Sequence, residues 1–486
     1  MGVLQSHKRK LKRRRIVRVG ACLVLTTLVL VGLLLSSYLS SKKDPPQVLG
    51  VTKAIGTDAG YLGVWNEFAE QKEAQKKIES THPSIQSDIV GFGKQPITSL
   101  EEDPGEFWAH QRRSGMNREK ILSQLAYDPA FTAFCKARHI FRQPEYVELV
   151  AVGDNLYHQK VIASGRQEDG SYNYDSIYSR MKEYMQDKDI KILNQEICLS
   201  HDPAKWTSFP DFACPMECGE AVINAGFNVI TLATNHALDK GPQATLDSLA
   251  FWHRYEGILT TGVYDSQESH DTIVVGEYSG VKVAFLNYTY GMNGRSVPKD
   301  YPYIVNVLDM KQVEADITAA REVADLVIVF PHWGVEYQNT PTPQQRQQAQ
   351  QMADAGADLI IGSHPHVIQP LEILESKDGK KVPCYYSLGN FVSNMTSVEK
   401  CIECMAHVTI KRDGKEISIV SVEAVPIVSY ISPDSSEYCV YLLEDYTDEL
   451  GKNHRNTDVT PARCTAIWNQ VFTITEFNYE TGITKP

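Results

Sequence analysis

Five apolar runs in this 486-residue chain end in a residue that can hold a metal ion or move a proton. Val147–Val152 runs into Gly153-Asp154, and Ile190–Leu193 into Asn194-Gln195-Glu196. Val229–Leu232 leads to Ala233-Thr234-Asn235-His236, with Asp239-Lys240-Gly241 just beyond. Leu326–Phe330 leads to Pro331-His332-Trp333-Gly334-Val335-Glu336, and Leu359–Ile361 to Gly362-Ser363-His364-Pro365-His366. Asp154 and Glu196 offer hard carboxylate oxygens, Asn235 a neutral carbonyl oxygen, and His332, His364 and His366 imidazole nitrogens. A mixed nitrogen and oxygen set without thiolate suits Zn, Mn or Fe rather than Ca or Mg alone. A carboxylate shared by two ions lets them sit about 3.5–4 Å apart, the spacing of two-metal hydrolytic sites. One or two divalent ions are therefore expected. Taken singly, each residue reads as an ordinary turn, cap or surface group, His236 included. Their repetition at successive strand ends is what points to a metal site, and His364-Pro365-His366 is its strongest part, because the proline stiffens two imidazoles on one turn.

The elements that must position these residues are legible in the hydrophobic pattern. Short runs of strand length alternate with helical stretches at Pro215–Ala225, Pro242–Tyr255, Lys311–Val323 and Pro343–Ala355, which argues an α/β architecture. Val283–Leu286 is a further strand of this series. Two of the helices end in Ala-Gly (Ala225-Gly226 and Ala355-Gly356), where glycine can take the left-handed capping conformation. In open α/β folds the carboxyl ends of strands are where ligands bind, so the five polar ends are expected to converge. After residue 380 strand-like runs take over (Val382–Leu388, Ala406–Ile410, Ile417–Val425), predicting an antiparallel flank. The metal-type domain is placed at 146–430, with a C-terminal extension at 431–486 that carries no motif.

The composition is that of a globular protein, 42% hydrophobic and 22% charged, with a net charge of −12. Residues 1–18 hold eight Lys/Arg and no acid, which leaves 40 basic against 60 acidic residues, about −20, in the remainder. A nucleic-acid partner is not expected of so acidic a body. Val19–Leu39 contains no charge, and roughly 20 apolar residues span the hydrocarbon core of a bilayer. The basic tail before it is expected to stay cytoplasmic, which places the rest of the chain outside the cell membrane as a single-pass protein. A cleaved signal peptide is the competing reading, and Ser36-Ser37-Tyr38-Leu39-Ser40 fits its cleavage site poorly. Residues 40–145 read as a linker and a mostly helical region. Of ten cysteines, Cys22 falls in the apolar segment. Cys214-x3-Cys218 and Cys401-x2-Cys404 lack the partner pairs of a structural zinc site, so disulfides or plain buried thiols are expected.

In their order, these blocks, with Tyr386-Ser387-Leu388-Gly389-Asn390-Phe391 after them, resemble the signature of the CapA/PgsA capsule synthesis family over about residues 147–395. The resemblance implies a calcineurin-like metallophosphoesterase fold, a four-layer α/β/β/α sandwich. It also implies work on poly-γ-glutamate or a related anionic capsule polymer, in a membrane-bound synthetase complex. Carried over by position, Asp154, Glu196 and His366 would hold one ion, and Glu196, Asn235, His332 and His364 the other. His236 would be the catalytic histidine that meets the substrate, and Asp239, Glu336 and Asn390 would contact substrate. Two positions depart from the wider phosphoesterase pattern: Leu156 stands where a histidine is usual after Asp154, with His158 out of step, and Glu196 replaces an aspartate. Two functions follow as expectations. In one, the chain is a metal-dependent hydrolase of an amide or phosphoester bond. In the other, it is a non-catalytic component that binds the polymer during export or anchoring.

Overall fold

The computed structural model describes residues 145–485. The expected basic tail, the apolar segment and all but the last residue of the linker and helical region lie outside the described residues. Among the described residues no helix is long and apolar enough to cross a membrane.

The chain first lays down β1 (Glu145–Asn155), α1 (Asp175–Met185), β2 (Ile190–Gln195), α2 (Met216–Asn224), β3 (Val229–Thr231), α3 (Gly241–Trp252) and β4 (Leu259–Thr261). Strands β1 to β4 pair in sequence order and in parallel. A second series comes next: β5 (Val274–Tyr278), β6 (Val281–Thr289), α4 (Met310–Val323), β7 (Leu326–His332), α5 (Pro343–Ala355), β8 (Leu359–Ile361), β9 (Ile368–Glu375) and β10 (Lys381–Leu388). They form a separate six-stranded sheet in the order β9-β10-β8-β7-β6-β5, parallel through its middle and antiparallel at both edges. The chain then returns to the first sheet with β11 (Asn390–Val392), β12 (Ile402–Asp413) and β13 (Glu416–Ile431). Strand β12 runs antiparallel to β1, and β13 to β12, which gives the antiparallel flank expected after residue 380.

Alternation of side chains sorts the strands into layers. On β1, Val147, Leu149 and Ala151 face a core shared with Val283, Phe285, Ile328 and Phe330 of the other sheet. Val150 and Val152 face the opposite way, onto Ile177, Met181 and Val222 of α1 and α2. On β7 the same switch sends Val327 and Val329 outward onto α4 and α5, through Val313, Ile317, Ala349 and Met352. The order is helix, sheet, sheet, helix, and strands buried on both faces explain the unbroken apolar runs in the sequence. Each fully buried Val, Leu or Ile here adds about 1.5–3 kcal/mol.

Helix ends obey local chemistry. The Thr342 side chain caps α5, Gln345 completes the reciprocal box, and Pro343 takes the first turn. Gly356 ends that helix at φ 114°, and Gly226 after α2 has φ 98°. Helix α1 is an addition to the helices expected from the sequence, although Ile177, Tyr178, Met181 and Met185 carry a helical stripe. The expected boundary at 430 falls within the last strand pairings: β13 runs through it and pairs with Tyr438–Leu442. Cys464 and Trp468 of the helix Pro461–Val471 join the core between the sheets. The eight cysteines from Cys198 to Cys464 are buried free thiols, so of the two expectations for these residues the thiols hold.

Candidate metal centre

The carboxyl ends of β1, β2, β7 and β8, and the turn after β3, meet at one place. Gly153 lets β1 reach it: a Cβ there would stand 2.0 Å from the Gly389 carbonyl oxygen. Asp154 then takes three partners. Its Oδ1 accepts from Asn194 Nδ2 at 2.8 Å. Its Oδ2 accepts from the His364 backbone N–H at 3.2 Å and lies 3.2 Å from His366 Nδ1. Glu196, at the end of β2, sits in the middle. Its Oε1 is 3.7 Å from His366 Nε2 and 3.8 Å from His332 Nε2, so one oxygen faces imidazoles from two different turns.

On the other side, Asn235 turns its carbonyl Oδ1 to His332 Nε2 at 2.8 Å and donates its amide to Asn293 Oδ1 at 3.2 Å. Ser363 Oγ holds His332 Nδ1 at 2.9 Å. The His332 and His364 rings are 4.9 Å apart, and those of His364 and His366 5.9 Å. His364 and His366 both carry a left-handed backbone, φ 97° and 56°, a strained choice for non-glycine residues that clusters at functional sites.

The buried polar atoms test whether a metal fits. Both carboxylate oxygens of Glu196 and Nδ1 of His364 are buried without a hydrogen-bond partner. Leaving such groups unsatisfied costs about 1–3 kcal/mol each, more for a charge. A divalent cation supplies what they lack, and the donors group accordingly: Asp154, Glu196 and His366 lie within 4.8 Å of one another, as do Glu196, His332 and His364. The residues fit one or two ions. Burial and neighbouring imidazoles push His332 well below its usual range and His364 down to about 3, which keeps both in the neutral form that binds metals. Burial, reinforced by the Asp154 charge, raises Glu196. Burial alone would lower His366, but the Glu196 and Asp154 carboxylates outweigh it and raise the imidazole. A bound cation reverses that local logic.

The profile of the family described as "Bacterial capsule synthesis protein PGA_cap" matches residues 148–395, which hold every residue of this cluster. The chain belongs to this family. It is similar to a capsule biosynthesis protein of Bacillus anthracis, 31% identical over 261 residues, 52% of this chain and 61% of that one. A PGA biosynthesis protein of Bacillus subtilis is 33% identical over 189 residues, 39% of this chain. The chain thus spans about half of the length of these relatives, 61% and 48%. Among solved structures, a NAD nucleotidase of Haemophilus influenzae aligns with a TM-score of 0.39 at 12% identity, over 68% of this chain and 67% of that one.

In this family member all six expected metal ligands share the cluster, but the expected substrate residues divide. His236 and Glu336 line a cavity of about 410 Å³ beside it, together with His158, Arg295 and Tyr337. Asp239 is buried behind His236, with its Oδ2 2.6 Å from His236 Nδ1 and accepting from Phe212 N–H. Asn390 is also fully buried, with its Oδ1 3.0 Å from His366 Nδ1. Both orient a histidine instead of lining the cavity. His158 is in none of the donor groups among the described residues, and its Nδ1 accepts from Asn394 N–H, 3.2 Å away. Sequence reasoning missed Arg295, whose Nη2 lies 2.5 Å from Asp211 Oδ1 and whose Nε is 3.9 Å from Asp239 Oδ1. It also missed Phe209, 81% exposed at the rim. Both sit on loops without periodicity; only a lone arginine between Gly291 and Pro298, in an acidic body, hinted at the first.

Proposed function

We propose that this chain is a membrane-anchored, extracytoplasmic hydrolase of the calcineurin-like type. It cleaves an amide bond in an anionic capsule polymer, poly-γ-glutamate or a close relative, with the help of one or two divalent ions (Mn, Zn or Fe). The observation that carries this reading is Glu196: a buried carboxylate with neither oxygen hydrogen-bonded, set between imidazoles of two different turns. The helix, sheet, sheet, helix order supports the fold assignment. The uncharged Val19–Leu39 segment after a basic tail supports the anchor. The relatives' names support a capsule polymer as substrate, and a synthetase complex as partner rests on the family resemblance.

Each residue has a part that its geometry allows. Asp154, Glu196 and His366 would hold one ion, and Glu196, Asn235, His332 and His364 the other. When bound, the ions supply Lewis-acid polarisation of the scissile carbonyl. Asp239 can only accept at His236 Nδ1, so it fixes the ring with Nε2 as the nitrogen left for substrate. Burial works against the charge on His236, but the Asp239 bond and Glu196 raise its pKa overall. A proton on His236 Nε2 is placed to reach the leaving amine: the water oxygen bonds to the carbonyl carbon, the C–N bond breaks, the amine takes that proton, and a proton of the water returns to the imidazole. Arg295 at the rim offers a guanidinium to a substrate carboxylate, in a body that otherwise repels one.

The test is turnover by the full chain of poly-γ-glutamate oligomers and of a synthetic phosphoester, before and after chelation and re-addition of Mn or Zn. Metal-dependent release of free amine supports the reading. Phosphoester turnover alone moves the substrate class, and no turnover by metal-loaded protein overturns the hydrolase.

A further inference from the structure

The two donor groups are unequal. Glu196, Asn235, His332 and His364 make four donors, enough for a closed tetrahedral set, whereas Asp154, Glu196 and His366 make three. The nearest side chains in sequence cannot add a fourth. Leu156 is buried and apolar, and His158 falls in none of the donor groups among the described residues, its Nδ1 being turned to the Asn394 amide.

One more carboxylate is in range. Glu336 places an oxygen within 4.8 Å of ligand nitrogens of both His364 and His366, although those two histidines belong to different donor groups. Glu336 thus mirrors Glu196: one carboxylate lies buried beneath the imidazoles, the other stands on the cavity side. The placement is built, because the turn that carries Glu336 is laced to the His364-Pro365-His366 turn. Trp333 N–H donates to Ser363 O at 3.1 Å and Tyr337 N–H to Pro365 O at 2.7 Å. Gln369 Nε2 donates to Gln338 O at 2.8 Å, and Asn339 Nδ2 to Ile368 O at 2.9 Å. Gly334, at φ 92°, lets the turn close on the Gln345 side chain, where a Cβ would stand 2.7 Å from Cδ. Backbone bonds on both sides of Glu336 therefore fix where its main chain stands relative to the two histidines. The unpartnered Nδ1 of buried His364 is a second sign that a ligand belongs there.

We propose that Glu336 is a metal ligand, a second bridging carboxylate on the cavity side, and not a substrate contact. The proposal rests on the metal reading of the site given above. Being on the open side, Glu336 would compete with an incoming substrate oxygen for the same coordination positions.

The test uses the full chain, stripped with chelator and titrated with Co²⁺ while its visible absorption is monitored, with Zn²⁺ competition for affinity. Glu336→Gln and Glu336→Ala should each weaken the looser ion by at least about tenfold and change the Co²⁺ band. Neither should alter the melting temperature of the stripped protein, since Glu336 is exposed. Wild-type affinity and spectrum in both variants, with or without weaker binding of poly-γ-glutamate, would overturn the proposal and leave the metal site standing. A wild-type protein that takes up no Co²⁺ or Zn²⁺ would instead overturn the metal reading itself.

Discussion

His236 Nδ1 lies 2.6 Å from Asp239 Oδ2, three residues away on the same turn, and the carboxylate is buried while the imidazole borders the cavity. In the proposed mechanism this pair separates a proton donor from the ligands beside it. His236→Ala is expected to keep metal and fold and to lose about 10²–10⁴-fold in turnover, the usual worth of general acid catalysis. Asp239→Asn should lose part of the same factor, because a neutral amide removes the counter-charge that favours the protonated imidazole. Metal content, melting temperature and kcat measured together decide the matter. Loss of metal from His236→Ala would place His236 among the ligands.

Asn235 stands next in sequence but faces His332 with its carbonyl oxygen. Asn235→Ala should leave the fold intact and lower bound metal at least about tenfold in affinity, whereas Asn235→Asp should retain it. Elemental analysis after dialysis reads both. Equal metal in Asn235→Ala and wild type would remove Asn235 from the site.

The Gly153→Ala substitution tests how the first ligand is delivered. Its methyl would meet the Gly389 carbonyl at 2.0 Å, backbone against backbone, so the two strands must part. A loss of about 3 kcal/mol is expected. Gly379→Ala, at φ 79° with open space around it, should cost only the left-handed penalty of about 1–2 kcal/mol. Urea unfolding compares them, and a milder effect at Gly153 than at Gly379 would refute the close-approach account.

Stability should also depend on pH through a pair far from the cavity. His407 Nε2 is 2.7 Å from Glu148 Oε2, and Nδ1 is 3.5 Å from Glu423 Oε2. Burial would lower the imidazole, but the carboxylates raise it overall; the bond to His407 lowers Glu148. A raised histidine stabilises below its unfolded pKa, about 6.5, and the gain fades as pH climbs through the folded value. A lowered glutamate stabilises above about 4.3 and loses its contribution as pH falls. The stability gap between wild type and His407→Gln should therefore be widest from about pH 4.3 to 6.5. Unfolding curves at pH 5.5 and 9 check the sign; a wider gap at 9 would reverse it.

How far the sequence reached depended on what each residue's partner was. The five polar strand ends were legible because a strand buried on both faces is a short continuous apolar run, and the residues just past its end must stand at the sheet's edge. Helix α5 was legible to the residue, since Pro343 and Gly356 mark its ends. Asp239 and Asn390 were placed on the right turns, but which way they face depends on hydrogen bonds to His236 and His366, and spacing along the chain does not encode that direction. Arg295 and Phe209 were missed because they reach the cavity from loops, where no periodicity reports burial. Glu336 was read as facing substrate, since nothing in His332-Trp333-Gly334-Val335-Glu336 reveals that its turn is laced to residues 363–369.

The turn at His364-Pro365-His366 also carries an energetic cost. Both histidines hold a backbone that glycine would take freely, and each conflict costs about 1–3 kcal/mol. Glycine at either position would relieve that strain and remove an imidazole that stands against His332 or Glu196.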